Sequence, residues 1–246
     1  MNSSGERDPV CTYLEWDSKF FDLRIARLNR PRLDEKTIAD SRAWCDSNRI
    51  ACLYFLADSD HPETVRLAET NGFLLTDVRV TLERTIAQDD RVPVESDGIR
   101  LARESDLDIL RAIARTVHRD TRFYFDGHFE RTKCDLLYES WIENSLRGFA
   151  QAVLVAEVDA KPAAYLTCHL KDRESQIGLV GVAEWQRGQG LGTKLVRYFC
   201  GWSRERDARR ATVVTQGRNL AAQRLYQRSG FVTASLQLWY HRWFPG

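Results

Sequence analysis

Three glycines alternate with other residues in the segment Arg187-Gly188-Gln189-Gly190-Leu191-Gly192. A strand predicted to end near Val182 precedes this segment, and a helix is predicted from Thr193 onward. Glycines at such a junction let the backbone approach a ligand closely, and the free N–H groups at a helix start favour a pyrophosphate. Arg187 adds a positive charge beside them. A strand-to-helix turn without a ligand is the alternative interpretation of this loop.

Two other phosphate-binding motifs do not match the loop. It lacks the Gly-Lys-Ser/Thr of a Walker motif. The dinucleotide fingerprint belongs near the start of a βαβαβ chain, whereas three antiparallel-looking strands are predicted before this loop, at 152–158, 163–170 and 176–182. The loop is therefore interpreted as neither an ATP nor an NAD site.

A second segment follows about thirty residues after the loop, and it runs from Asn219 to Phe231 with Ala222, Tyr226 and Gly230 between. Taken with Arg187, Gly190 and Gly192, its order, spacing and predicted elements resemble the GNAT superfamily of acyl-CoA-dependent N-acyltransferases. The resemblance covers roughly residues 99–246.

The resemblance implies acetyl-CoA as the acyl donor and no metal. Backbone N–H groups of the glycine loop would hold its pyrophosphate, and the edge of a strand at 177–182 would pair with its pantetheine arm. Tyr226 would protonate the departing thiolate. The implied donor-binding residues are Leu179, Val180, Gly181, Val182, Arg187, Gly188, Gln189, Gly190, Leu191, Gly192, Thr193 and Asn219.

The residue types agree with that chemistry. A neutral amine attacks a thioester directly, and a backbone N–H near Val182 can stabilise the oxyanion. A phenol of pKa about 10 can protonate a thiolate whose thiol has a pKa of about 8.5. An ordinary buried aromatic is the alternative interpretation of Tyr226. The base that receives the amine's proton stays unassigned, with the candidates Glu184, His118, Asp120 and Asp126.

Four further segments, at 14–21, 121–123, 138–148 and 177–180, resemble dTDP-fucosamine acetyltransferases. Those enzymes acetylate the 4-amino group of a nucleotide-linked 4-amino-4,6-dideoxy sugar. The resemblance implies a nucleotide-linked amino sugar as the acceptor, with a basic pocket for the diphosphate and an aromatic ring stacked on the base. The candidate substrate-binding residues are Arg119, Arg122, Phe123 and Tyr124. A solvated basic loop is the alternative for this stretch.

Two other functions stay open. One is acetylation of another small amine, such as an aminoglycoside, an amino acid or a polyamine. The other is an acyl-CoA-binding module without turnover, against which the presence of both Asn219 and Tyr226 argues.

The two halves of the chain share an ending. Residues 65–73 and 223–231 both predict a helix that stops at Gly-Phe and leads into a long strand. In this alignment Ala68 takes the place of Tyr226 and His61 that of Asn219, so the first copy lacks the chemistry. We therefore predict a mixed α/β GNAT fold, a central and mostly antiparallel sheet with flanking helices, preceded by a smaller degenerate GNAT-like lobe. The lobes are predicted at 1–90, a non-catalytic wall of the acceptor site, and at 97–246, the catalytic domain, with a polar linker at 87–97.

Composition limits the remaining functions. The 246 residues carry 36 Lys and Arg against 35 Asp and Glu, and this balance argues against a nucleic-acid partner. No run approaches the roughly 18 apolar residues of a membrane span, and no secretory signal opens the chain, so a cytoplasmic protein is predicted. The six scattered cysteines predict reduced thiols and no zinc site. An open aromatic strand end at 239–243 would be a homodimer contact, with core packing as the alternative.

Overall fold

Apolar runs of strand length and helical segments follow one another along the chain, and the structure accordingly contains both strands and helices. The computed structural model describes residues 9–92 and 98–245. In chain order the elements are β1 (Cys11–Tyr13), α1 (Glu15–Phe21), β2 (Ile25–Leu28), α2 (Glu35–Ser47), β3 (Cys52–Asp58), α3 (Pro62–Thr70), β4 (Leu74–Thr85), β5 (Ile99–Leu101), α4 (Leu107–Val117), α5 (Arg122–Asp126), α6 (Arg131–Asn144), β6 (Ala152–Val158), β7 (Lys161–Lys171), β8 (Glu174–Val182), α7 (Leu191–Arg204), β9 (Arg210–Gln216), α8 (Leu220–Arg228) and β10 (Val232–Trp243). The predicted mixed α/β class with a mostly antiparallel sheet is confirmed.

The chain forms two compact units, and each unit is built from more than one stretch of the chain. The first unit takes the residues up to Arg79 together with Phe125–Glu130 and the residues from Leu236 onward. The second takes Val80–Tyr124 and Arg131–Ser235. The predicted lobes, 1–90 and 97–246, are each one continuous stretch of the chain. In the structure, by contrast, the end of strand β10 belongs to the first unit.

The first unit is a small sheet with helices packed on it. Strands β1 and β2 pair antiparallel, β2 and β3 pair parallel, and β10 pairs antiparallel with β3 from Gln237↔Asp58 to Trp243↔Cys52. Tyr240 and His241 of β10 have no exposed surface. The last strand is therefore an interior strand packed into a core, and it does not present the open aromatic edge that would have favoured a homodimer contact.

Residues 15–21, within one of the four segments that resemble dTDP-fucosamine acetyltransferases, form helix α1 of the first unit. Phe21 is buried, and the Ser18 hydroxyl lies 2.9 Å from the Ile25 N–H that donates to it. Asp22 then closes the helix in the left-handed region at φ 57°. Burial of one aromatic side chain and a local hydroxyl bond stabilise this short helix, although its sequence has no strong helical pattern.

The second unit carries the glycine loop. Its strands lie in the order β9-β8-β7-β6-β5, and β5 to β8 are antiparallel neighbours while β8 and β9 are parallel. The predicted acceptor residues Arg122, Phe123 and Tyr124 lie on the short helix α5.

The part of the predicted linker that the structure describes is packed within the second unit. Asp90 pairs with Arg84 at 2.7 Å and accepts from the Ala87 N–H at 2.8 Å. A methyl group on Gly201 of α7 would lie only 2.2 Å from the backbone nitrogen of Val92. Residues 93–97 of the predicted linker lie outside the described residues.

Candidate active site

The glycine loop ends in a helix start that is open to a ligand. Gly188 and Gly190 adopt φ angles of 80° and 79°, and nothing lies within 4 Å of a side chain built on either. No side chain caps helix α7, and the N–H of Lys194 is the one that bonds back to the Gly190 carbonyl, at 3.0 Å. The preceding N–H groups have no helical acceptor. The loop therefore presents the free donors and the positive helix end that a pyrophosphate requires.

One edge of β8 is unpaired as it approaches this loop. Strands β8 and β9 pair only from Glu174↔Arg210 to Ile177↔Val213, although β9 continues to Gln216. On the other side β8 pairs with β7 up to Val182↔Ala164, and the Ala183 N–H donates to Ala163 at 2.8 Å. Because strand N–H groups alternate in direction, those of Val180 and Val182 face away from β7. We call the space between the diverging strands the cleft, and its closed end lies at Gly178.

Three polar side chains of β7 lie over glycines of β8. Tyr165, Thr167 and His169 share one face of their strand. A methyl group on Gly181 would lie 2.5 Å from the Tyr165 ring, and a methyl group on Gly178 would lie 2.5 Å from Nε2 of His169. Thr167 Oγ1 accepts the Leu179 N–H at 2.8 Å, where the strands slip register. These three residues were not predicted from the sequence. The pattern that could have indicated them is a polar residue at every second position of one strand of a hairpin, with two glycines in the other strand.

Tyr226 is buried on helix α8, with 4% of its surface exposed. Burial raises the pKa of its phenol above the ordinary value. Among residues 9–92 and 98–245, no hydrogen-bond partner of its hydroxyl is found. Such a phenol keeps its proton at neutral pH and has it available for a ligand.

Asn219 is the N-cap of α8, since its Oδ1 accepts the Ala222 N–H at 3.0 Å. The cap fixes the orientation of the side-chain amide and leaves its NH₂ group as the free donor.

The predicted base candidates differ in their surroundings. Glu184 is exposed and 3.8 Å from Arg187. His118 Nε2 lies 2.7 Å from the Tyr165 hydroxyl, its ring stacks on Tyr138 at 4.6 Å, and burial lowers its pKa to about 4. Asp120 is exposed. None of these three faces the closed end of the cleft through a contact that the structure shows.

Asp126, the fourth base candidate, lies in the first unit. It bonds His241 and accepts from Trp243 Nε1 at 3.1 Å. Its carboxylate is therefore engaged in a buried network, which gives it a structural role.

Of the predicted acceptor residues, one is unavailable. Phe123 is 3% exposed, so its ring is a core residue and cannot stack on a base. Tyr124 donates its hydroxyl to Asp135 at 2.5 Å, and burial together with that carboxylate raises its pKa. Arg119 is exposed, and Arg122 lies over the Phe123 ring at 4.5 Å.

A groove of about 790 Å³ opens in the second unit between helix α4, the β6–β7 turn and the segment after β8. Its lining includes the acidic residues Asp108, Asp159 and Glu184, and Trp185, 60% exposed, lies at its side. The groove combines apolar walls with these carboxylates and the ammonium group of Lys161, so its lining carries more negative than positive charges.

Neither a membrane helix nor a metal site is found in the parts that the structure describes. No described helix is long and apolar enough to cross a bilayer. Over the same residues, no group of three or more His, Cys, Asp or Glu side chains is arranged to hold a metal ion.

A comparison with protein families identifies an acetyltransferase domain within the chain. Residues 114–231 match the model of the acetyltransferase (GNAT) family, so the chain contains a domain of that family, as the glycine loop and the Asn219–Phe231 segment predicted.

A curated relative and two solved structures are similar to the chain. The spore coat polysaccharide biosynthesis protein SpsD of Bacillus subtilis is 28% identical over 141 residues, which are 57% of this chain and 48% of SpsD. The chain thus matches about half the length of that relative. A GCN5-related N-acetyltransferase from Sphaerobacter thermophilus aligns with a TM-score of 0.68 at 14% identity, over 96% of this chain and 77% of that one. A conserved protein of unknown function from Staphylococcus epidermidis aligns with a TM-score of 0.70 at 14% identity, over 97% and 93%. These two structures show a shared fold.

Proposed function

We propose that this protein transfers the acetyl group of acetyl-CoA to the primary amine of a nucleotide-linked amino sugar. One observation carries the proposal: the unpaired edge of β8 leads directly to an uncapped helix start with free N–H groups. An extended arm that ends in a pyrophosphate fits this arrangement, because the arm can pair like an added strand and the phosphates can accept from the helix start.

The donor is held by backbone groups of this chain. The N–H groups of the glycine loop bind the pyrophosphate, and Arg187 neutralises part of its charge. Val182 offers its N–H to the arm, and Val180, nearer the closed end of the cleft, offers its N–H to the thioester oxygen. The sequence placed that oxyanion donor near Val182, and the direction of the arm favours Val180.

Tyr226 acts as the general acid. The amine nitrogen forms a bond to the carbonyl carbon, the carbon–sulfur bond breaks, and the sulfur takes the phenolic proton. Burial and the raised pKa of Tyr226 keep that proton in place until the thiolate forms. The proton that the amine loses returns to the phenolate through the solvent or a protein base.

The acceptor class rests on two supports from sequence. One is the resemblance of four segments to dTDP-fucosamine acetyltransferases. The other is the similarity to SpsD, whose name places it in the biosynthesis of a polysaccharide. Arg119, which is exposed, is the candidate for binding a diphosphate, whereas Arg122 lies over the Phe123 ring and Phe123 no longer belongs to the proposed site because it is buried.

A second acceptor class is favoured by the groove beside α4. Its carboxylates Asp108, Asp159 and Glu184 outnumber its one lysine, Lys161, and this excess of negative charge suits an amine that carries several positive charges, such as a polyamine. This alternative keeps the same donor site and the same acid.

The decisive experiment measures thiol release from acetyl-CoA across a panel of acceptors. The panel contains dTDP-linked 4-amino sugars, the free sugars, polyamines, aminoglycosides and amino acids. Release with the nucleotide-linked sugar but not with the free sugar supports the proposal. Release with polyamines alone would show that the acceptor is a polyamine and not a nucleotide-linked sugar. Binding of acetyl-CoA without thiol release from any acceptor would show that the protein is an acyl-CoA-binding module and not an enzyme.

A further inference from the structure

The closed end of the cleft is the place where the acyl group must lie if the proposed donor site is correct. The glycine loop and its phosphates stand at the open end, beyond Val182. The arm therefore leads the thioester away from the loop, along β8 toward Gly178, where pairing with β9 begins. This step rests on the proposed function.

His169 of β7 lies over Gly178, the residue of β8 at that end of the cleft. Its Nε2 lies where a side chain of Gly178 would be, because a methyl group there would approach it to 2.5 Å. Thr167 Oγ1, which holds the Leu179 N–H, lies 3.4 Å from the same nitrogen. A glycine at 178 thus makes room for an imidazole beside the unpaired strand edge.

The imidazole is neutral at physiological pH. His169 is half-buried, and burial lowers its pKa below the ordinary value. Its neighbours from β7, β8 and the turn that precedes β6 are Thr167, Gly178 and Phe149, all uncharged. Burial is the cause of the shift, with no contribution from a charged side chain of the described residues.

The ring of Phe149 lies next to His169 and is exposed to solvent. Its ring centroid lies 5.5 Å from that of His169 in an edge-to-face arrangement, and 73% of its surface is exposed. An exposed aromatic ring beside a neutral base suits an acceptor whose apolar face stacks while its amine reaches inward.

We propose that His169 is the catalytic base of the acetyl transfer and that Phe149 forms the acceptor subsite outside it. As the amine nitrogen bonds to the carbonyl carbon, its surplus proton passes to the unprotonated nitrogen of His169. The carbon–sulfur bond breaks, and Tyr226 gives its proton to the sulfur. The imidazolium then loses its proton to solvent, and Tyr226 regains one, so that both groups return to their starting states.

The first test uses NMR of the five histidine rings, with His169 assigned from the His169→Gln variant. CoA and acetyl-CoA differ only by the acetyl group. We expect the His169 ring signals to differ between the two complexes by more than those of the other four histidines. Identical His169 signals in the two complexes would overturn the placement, even if the enzyme is active. A failure of the protein to bind CoA at all would overturn the proposed function, and with it this inference.

The second test is kinetic. His169→Gln is expected to lower kcat by about 10² to 10⁴-fold with the Kd of acetyl-CoA unchanged. The deficit should shrink as the pH rises toward the pKa of the acceptor amine, because a neutral amine no longer needs a base. The control His61→Asn exchanges a histidine of the first unit while keeping a helix cap. Unchanged kcat in His169→Gln would reject the base.

Phe149→Ala tests the subsite with a variant that leaves the core intact, since the side chain is exposed. We expect a higher KM for the acceptor at an unchanged KM for acetyl-CoA. Equal KM values for the acceptor in the variant and the parent protein would reject the subsite.

Discussion

The backbone N–H of Phe231 donates to the carbonyl oxygen of Tyr226 at 3.0 Å. The same bond, of the same length, joins Phe73 to Ala68. Gly230 and Gly72 precede the two phenylalanines with φ angles of 83° and 76°, and each ending follows a nine-residue helix. The two helix endings from which the sequence predicts an internal repeat therefore share one backbone conformation.

The repeat extends to the helix starts. Asn219 caps α8 and His61 caps α3, each with a side-chain acceptor for the N–H three residues on. The first copy retains the helix, its cap and its stop but has Ala68 where the phenol stands. The first copy therefore has the helical framework without the residue that we propose as the acid.

Replacing Tyr226 tests the acid. Tyr226→Phe should lower kcat by about 10²-fold or more, because the thiolate loses its positioned proton donor. The Kd of acetyl-CoA should stay the same, since the ring is kept. Tyr198→Phe, on helix α7, is a control that should keep full kcat. An unchanged kcat in Tyr226→Phe would remove this residue from the mechanism.

Replacing Gly190 tests the loop. Gly190→Ala should weaken acetyl-CoA binding measurably in calorimetry, because φ 79° costs a residue with a side chain about 1–2 kcal/mol. Relaxation of that strain would move the N–H groups that hold the phosphates. Gly127→Ala is a matched control, because Gly127 also has φ 79° and open space around it. If both variants bind acetyl-CoA equally well, the loop does not hold the pyrophosphate.

Replacing Gly201 tests the packing of the segment after β4. A methyl group there would lie 2.2 Å from the Val92 nitrogen, so Gly201→Ala should lower the free energy of unfolding by about 1–3 kcal/mol in urea titrations. Gly192→Ala should cost less, because its nearest neighbour is a flexible Leu225 methyl at 3.1 Å. Equal stability of Gly201→Ala and the parent protein would show that residues 91–92 move aside freely.

The Asp126–His241 pair predicts an acid-dependent stability. Burial raises the pKa of Asp126, but hydrogen bonds from His241, His128 and Trp243 outweigh it and hold the pKa below 3.8. A depressed carboxyl pKa stabilises the fold above the unfolded pKa of about 3.9, and that contribution is lost as the pH falls through the folded value.

Asp126→Asn should therefore lower the free energy of unfolding at pH 7 by about 3 kcal/mol, and the difference from the parent protein should narrow below pH 4. Asp120→Asn, at an exposed carboxylate, should change stability little. Thermal denaturation of the three proteins between pH 3 and 7 measures both effects. A deficit that stays constant down to pH 3 would contradict the role of the charge.

The proposed donor site rests on local signals. The glycine loop, Asn219 and Tyr226 depend on backbone conformations and spacings that lie within about forty residues, and their residue types allow few alternatives. Phe123 was misjudged because its burial depends on packing within the second unit, which no local pattern records. His169 was missed because its position becomes meaningful only when β7 and β8 are paired and Gly178 is opposite.

The pairing of β10 with β3 could not be predicted from local patterns either. Residues 239–243 predict a strand, but the partner of that strand, β3, lies near the other end of the chain. Pairings between distant segments carry no signal in the residues of one segment alone.

The pairing of β10 with β3 sets an order of events during synthesis. A ribosome completes β3 long before it makes β10, so the growing chain carries an uncovered edge on β3 until β10 has emerged. The sheet of the first unit can therefore close only after the whole second unit has been synthesised. During that interval the uncovered edge of β3 is a place where a strand of another chain could pair, and the arrival of β10 removes it.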